Sequence, residues 1–207
     1  MRLAASLLVA AACGDNLAEP SPEPELTLLG DQMVGTLLVT NDAFAPDDCA
    51  VIEQCVDGPG VRRLLRFDTV TANVGDVDLA LGGRPPIGED NAIYTWSPCH
   101  GHHHIRGYAL YELRDARGRV VGGHKQAFCL QDTQQVRPDA LGRGFTCEEQ
   151  GLSAGWADVY NRDIPCQWID VTSVPPGTYT LSVEVNALER LPDGRHDDNT
   201  WTTTVSL

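Results

Sequence analysis

The chain predicts an all-β fold: an antiparallel β-sandwich-like domain with long disulfide-tied loops and little helix. Three observations carry this reading. Runs rich in β-branched and aromatic residues recur between turn-forming clusters. The 207 residues include 13 prolines and 20 glycines, enough for many turns and long loops. Setting Cys13 aside leaves an even set of six cysteines, Cys49, Cys55, Cys99, Cys129, Cys147 and Cys166.

The strand-like runs are 36–40, 64–73, 108–114, 120–121, 168–172, 179–187 and 200–207. Between them stand Asp57-Gly58-Pro59-Gly60, Gly82-Gly83-Arg84-Pro85-Pro86, Ala116-Arg117-Gly118, Pro175-Pro176-Gly177 and Pro192-Asp193-Gly194, all of them turn chemistry. The 113–120 stretch reads as a hairpin crossing, and only 49–55 suits a short helix. Residues 137–164 lack clear periodicity, yet hold Trp156 and Tyr160. Long irregular loops in compact domains are usually functional or disordered, and flanking cysteines make disorder the weaker choice.

At the N-terminus Arg2, the apolar run 3–12 and the small Ala10-Ala11-Ala12 read as an export signal over 1–12. Cys13 follows at once, then Gly14-Asp15-Asn16, resembling a bacterial lipoprotein signal in which the cysteine is lipidated. Ordinary signal cleavage nearby is the competing reading. Residues 13–30 then form a tether whose Pro/Glu-rich part, 18–26, is expected to be extended and disordered. An exported chain is a setting for disulfides, and spacing leaves about 15 pairings of six cysteines open. No run approaches a membrane span, so the expected membrane contact is the lipid anchor alone. The formal net charge of −14 excludes the basic footprint of a nucleic-acid binder. It suits cations, including amines, although solubility alone accounts for it.

The motif Trp96-Ser97-Pro98-Cys99-His100-Gly101-His102-His103-His104 holds four of the six histidines within five positions. On a strand, alternate side chains share a face at steps of roughly 6 to 7 Å. His100, His102 and His104 then line one side, a modest bend brings them onto one ion, and His103 points away. Three neutral imidazoles suit copper, zinc, iron or nickel and leave coordination positions open. The plainer alternative is a solvated histidine-rich loop.

Downstream stand Gly123-His124-Lys125-Gln126-Ala127-Phe128-Cys129-Leu130-Gln131-Asp132-Thr133, Gln150-Gly151-Leu152-Ser153, and Asp158-Val159-Tyr160-Asn161-Arg162-Asp163-Ile164-Pro165-Cys166-Gln167-Trp168-Ile169-Asp170. With the histidine run, these resemble the catalytic domain of the lysyl oxidases, copper-dependent enzymes that deaminate lysine side chains. Cys49-x5-Cys55 and Leu64-Leu65-Arg66-Phe67 resemble that domain's opening, so the likeness spans 31–207.

The resemblance implies Cu(II) bound by His100, His102 and His104. It implies lysine tyrosylquinone formed by cross-linking Lys125 to Tyr160, and a protein-lysine 6-oxidase-like activity that consumes a primary amine and molecular oxygen. Asp158, two residues before Tyr160, is the candidate general base. His124 reads either as a proton relay or as a solvated loop histidine, and His196 as a turn residue.

Ser97 stands where animal members carry a histidine, His103 where they often have tyrosine, and Gln135 and Trp156 where they have cysteines. By resemblance, Cys129 and Cys166 thereby lose their local partners, and the implied bridges are Cys129–Cys166, Cys99–Cys147 and Cys49–Cys55. The substrate expected is a protein lysine or a small amine, at an extracytoplasmic site. The alternatives are a non-enzymatic copper- or zinc-binding envelope lipoprotein and an adhesion module with incidental histidines.

Overall fold

A computed structural model describes residues 23–207, with Lys125 in backbone only. The export signal 1–12, Cys13 and the first part of the tether lie outside the described residues. The elements in chain order are β1 (Leu26–Leu28), α1 (Gly30–Val34), β2 (Leu38–Phe44), α2 (Cys49–Ile52), β3 (Gly60–Arg66), β4 (Thr69–Asn73), β5 (Leu79–Ala80) and β6 (Tyr94–Ser97). There follow β7 (His102–Ile105), β8 (Ala109–Arg114), β9 (Val120–Gln126), β10 (Gln134–Gln135), β11 (Gly151–Leu152) and β12 (Trp156–Tyr160). The last three are β13 (Trp168–Asp170), β14 (Thr178–Val185) and β15 (Thr200–Ser206).

The fold is all-β, and every strand pairing among the described residues is antiparallel. One four-stranded sheet runs β15-β14-β8-β9 and another β1-β4-β12-β10. A three-stranded sheet runs β13-β3-β2, and β5/β11 and β6/β7 pair separately. Period-2 patterning explains the first sheet. Ala109, Tyr111 and Leu113 of β8 are buried in alternation and face Val185, Val183 and Leu181 of β14 in register. The hairpin expected at 113–120 joins β8 to β9.

Side chains of both four-stranded sheets enter one core with Leu65, Phe67 and Ile169. Tyr111 links the layers: its ring lies edge-on to Phe67 at 4.8 Å. Its hydroxyl donates to Gln167 Oε1 at 3.0 Å and sits 2.8 Å from Thr69 Oγ1.

Several elements depart from the sequence expectation. The run 64–73 is two strands in different sheets, broken at Phe67-Asp68. Asp68 is tied at the break, its N–H donating to Thr36 Oγ1 and its carboxylate accepting the Arg162 N–H. A second helix exists besides 49–52: α1 is a single turn, too short for periodicity to reveal. Gly30 opens it because a Cβ there would collide with the Trp201 ring. The last residues assigned to the tether are folded, with Leu26 fully buried, β1 paired to β4, and the Leu26 N–H donating to Asp193 Oδ1 at 2.9 Å.

The disulfide pairing also differs from the one the resemblance implied. The bridges are Cys49–Cys99, Cys55–Cys166 and Cys129–Cys147, with Cα separations of 5.7, 5.2 and 5.3 Å, all normal for disulfides. Cys49 and Cys55 serve different neighbours. Cys55 enters a small apolar cluster with Val56, Leu64, Cys166 and Trp168, where Trp168 Nε1 donates to the Cys55 carbonyl at 2.9 Å. Cys49, at the start of α2, faces the histidine segment instead. With Cys166 engaged there, Cys129 joins Cys147 on the long 137–150 loop. None of the described helices is long and apolar enough to cross a membrane.

Candidate metal centre

The histidine run is a hairpin rather than one continuous strand. β6 pairs β7 with Ser97 opposite His102, Trp96 opposite His103 and Thr95 opposite His104. Residues 98–101 make the turn, closed by Gly101 N–H donating to the Ser97 carbonyl at 2.9 Å. Gly101 has φ +70°, the left-handed region that favours glycine.

His102 and His104 project from one face of β7, and His100 reaches back to them from the turn. His104 Nε2 lies 3.2 Å from His100 Nδ1 and 3.1 Å from His102 Nε2. The three donor atoms fall within 4.8 Å of one another. His103 does point away, buried against the edges of Trp96 and Tyr94, with Nε2 3.0 Å from the Glu89 carbonyl.

Burial lowers the His104 pKa to about 3, with the His102 and His100 rings adding to the effect. His102 shifts the same way, mainly through burial. Neutral rings keep a lone pair for a metal. One ring nitrogen carries either a proton or a lone pair, so hydrogen bonding alone serves this triangle poorly. A single cation with nitrogen-loving chemistry satisfies all three, and the donor set fits copper.

The cluster opens into a cavity of about 660 Å³ whose wall also carries Glu53, His124, Gln126, Phe128, Cys129 and Tyr160. Tyr160 ends β12, paired with Thr69 of β4. Its ring stacks on Phe128 at 3.5 Å and its hydroxyl donates to the Cys129 carbonyl. Burial, then the neighbouring Asp158, push its phenol well above the usual range, so it stays protonated.

The Lys125 backbone sits in β9 opposite Leu110, between two cavity-lining residues. His124 is no solvated loop histidine: its Nε2 lies 2.9 Å from Gln126 Oε1, and burial lowers its pKa. Gln126 Nε2 donates in turn to the Cys166 carbonyl at 2.8 Å. His196 belongs to the 193–199 turn, with Nδ1 3.7 Å from Asp193 Oδ2.

Asp158 is 1% exposed, accepts the Gln131 N–H at 3.1 Å, and stands outside the cavity lining. Burial holds its carboxyl well above the usual carboxylate range. The unfolded group titrates near its ordinary 3.8, so between that pH and the folded value the native state holds the extra proton. Stability from this group is therefore full below about pH 4 and falls as pH rises, by up to about 1.4 kcal/mol per unit. Asp158→Asn, neutral throughout, should flatten the decline in melting temperature as pH rises above about 4. Parallel curves for the two proteins would contradict the assignment.

Sequence reading missed three residues around the site. Gln150 Nε2 donates to the His103 carbonyl at 2.7 Å while its Oε1 accepts the Leu130 N–H, binding β7 to the segment after Lys125. Asp132 accepts from Gly144, Phe145 and Ser153, pinning the long loop. Glu53 accepts the Ser97 hydroxyl at 2.6 Å. The motif around Gln150 was visible in sequence but its role was not, and Glu53 carried no signal beyond lying between two cysteines.

A family model described as lysyl oxidase matches residues 37–207. Lysyl oxidase homolog 4 of Homo sapiens is 39% identical over 175 residues, covering 75% of this chain and 22% of that protein. Lysyl oxidase homolog 2 of Rattus norvegicus is 33% identical over 199 residues, 90% of this chain and 25% of the relative. Lysyl oxidase homolog 3B of Danio rerio is 38% identical over 151 residues, 67% and 18% of the two chains. The chain thus spans a quarter or less of the length of these relatives.

Proposed function

Because the chain belongs to the lysyl oxidase family, we propose that it is a copper-dependent amine oxidase, converting primary amines and molecular oxygen to aldehydes, ammonia and hydrogen peroxide. One observation carries the reading furthest: the three-histidine cluster and Tyr160 face one cavity. His100, His102 and His104 would hold Cu(II), and Lys125 with Tyr160 would form lysine tyrosylquinone. When present, copper supplies a redox-active Lewis acid and the quinone an electrophilic carbonyl toward a primary amine.

The chain's own residues prepare for that chemistry. Burial lowers the pKa of His102 and His104, which keeps the lone pairs of these two rings available at neutral pH. The Cys129 carbonyl and the Phe128 ring fix the orientation of the Tyr160 phenol. Phe128, Ile164 and Pro165 give the cavity an apolar wall that limits water around the reacting carbon. Asp158, two residues before Tyr160, is assigned as the general base, a role it fills only in its ionised form, which burial disfavours. If so, Asp158→Asn also lowers turnover by about 10² or more; full turnover would leave it only its structural role.

The substrate class is a protein lysine or a small primary amine, and the net charge of −14 favours such cations in general. We place the protein outside the cytoplasm, exported by residues 1–12 and tethered through lipid on Cys13, its one contact with membrane. The test is peptide mass spectrometry after maturation with copper in air, searching for a covalent Lys125–Tyr160 link. The expected result is the cross-linked peptide. Both residues unmodified in fully copper-loaded protein would overturn the oxidase reading and favour a non-enzymatic copper- or zinc-binding lipoprotein.

A further inference from the structure

Among the described residues, Glu53 is the one carboxylate on the cavity wall. It caps the C-terminal end of α2, four residues beyond Cys49, whose bridge runs to Cys99 beside His100. Ser97 holds it: the hydroxyl donates to Glu53 Oε1 at 2.6 Å, and Ser97 Oγ in turn accepts the His100 backbone N–H at 3.1 Å. The other carboxylate oxygen, Oε2, lies 3.9 Å from His100 Nε2.

The two ring nitrogens of His100 therefore face different partners. Nδ1 belongs to the histidine triangle, 3.2 Å from His104 Nε2. Nε2 faces the carboxylate, longer than a hydrogen bond but within reach of a bridging water or a small ring rotation. Histidines that ligate through one nitrogen commonly donate the other N–H to a carboxylate, which fixes the tautomer and strengthens the donor. At 22% side-chain exposure, Glu53 is shielded enough for its charge to act on the ring.

We propose that Glu53 is a positioning residue for the metal centre: anchored by Ser97, its carboxylate orients His100 so that Nδ1 is presented to the copper ion. The proposal rests on reading His100, His102 and His104 as the copper ligands. A lone carboxylate in such a cavity has a second conceivable use, anchoring the ammonium group of a substrate, but the Ser97 bond and the His100 contact put it on the metal side.

The experiment titrates Cu(II) into metal-stripped, disulfide-intact full chain, with affinity read by chelator competition and coordination by electron paramagnetic resonance. Glu53→Gln should weaken Cu(II) binding by about 10- to 100-fold and change the copper hyperfine splitting. Glu53→Asp should recover part of the affinity. Ser97→Ala, which leaves the carboxylate present but unheld, should lose several-fold and carries the test if Glu53→Gln lowers the melting temperature of the metal-free protein. Unchanged affinity and spectrum in Glu53→Gln and Ser97→Ala would overturn the proposal, and a rise in amine KM alone would reassign Glu53 to substrate binding. His104→Ala separates the two layers of inference. If wild type binds copper tightly and His104→Ala does not, a null result at Glu53 sinks only the positioning role. If His104→Ala changes nothing, the copper reading falls and the Glu53 proposal with it.

Discussion

Tyr160→Phe should reduce amine-dependent hydrogen peroxide production to background, a loss of at least about 10³-fold, because the hydroxyl is the atom from which a quinone must be built. The variant should fold. It keeps the ring that stacks on Phe128 and loses one hydrogen bond, to the Cys129 carbonyl, worth about 1 kcal/mol. Copper binding should persist, since the ring nitrogens of His100, His102 and His104 make the cluster without Tyr160. Lys125→Ala should behave alike, with peroxide absent and copper retained. A peroxidase-coupled assay with a simple primary amine, beside a copper titration, reads both. Peroxide production at wild-type rate from either variant would remove that residue from the chemistry.

The second large effect concerns stability. Replacing Cys55 and Cys166 together with serine opens a bridge spanning 111 positions. The chain-entropy account assigns such a loop about 4.7 kcal/mol. Cys49–Cys99, separated by 50, should be worth somewhat less, and Cys129–Cys147, separated by 18, about 3 kcal/mol. For a domain of this size the largest loss corresponds to roughly 10 to 18 °C in melting temperature. Denaturant unfolding of the three double variants measures the ranking. If the Cys129–Cys147 pair proved the most costly to remove, loop closure would not be what these bridges mainly contribute.

The strands most legible in sequence were those with one wet face. β8 and β14 alternate buried and less buried residues, which is the pattern a period of two makes visible. β12 hid because it lies inside its sheet, between β4 and β10, and is largely buried along its length. Its Tyr160 was found through a motif and not through periodicity. That His100, His102 and His104 cluster could be read from spacing, but the hairpin turn that brings His100 back could not, since one glycine at a left-handed φ leaves little trace in composition. Disulfide partners were the least legible feature. Spacing says nothing about which way Cys49 and Cys55 face, and their partners lie 50 and 111 residues away. Glu53 was invisible for the same reason, its holding partner Ser97 being 44 positions distant.

The short segment holding α2 and both its cysteines has a bearing on the timing of maturation. One cysteine fastens the turn that carries His100, and the other fastens the return of the chain just after Tyr160. A reduced chain, as in a reducing cytoplasm, would lack both fasteners, leaving the histidine turn held mainly by the four-residue β6–β7 ladder. Sulfur oxidation would then come first and metal uptake second, so the site would be assembled only after the chain reaches an oxidising compartment. Under the proposed export and oxidase activity, leaving the cell would be the gate on activity, and the cell interior would be spared a peroxide-forming centre.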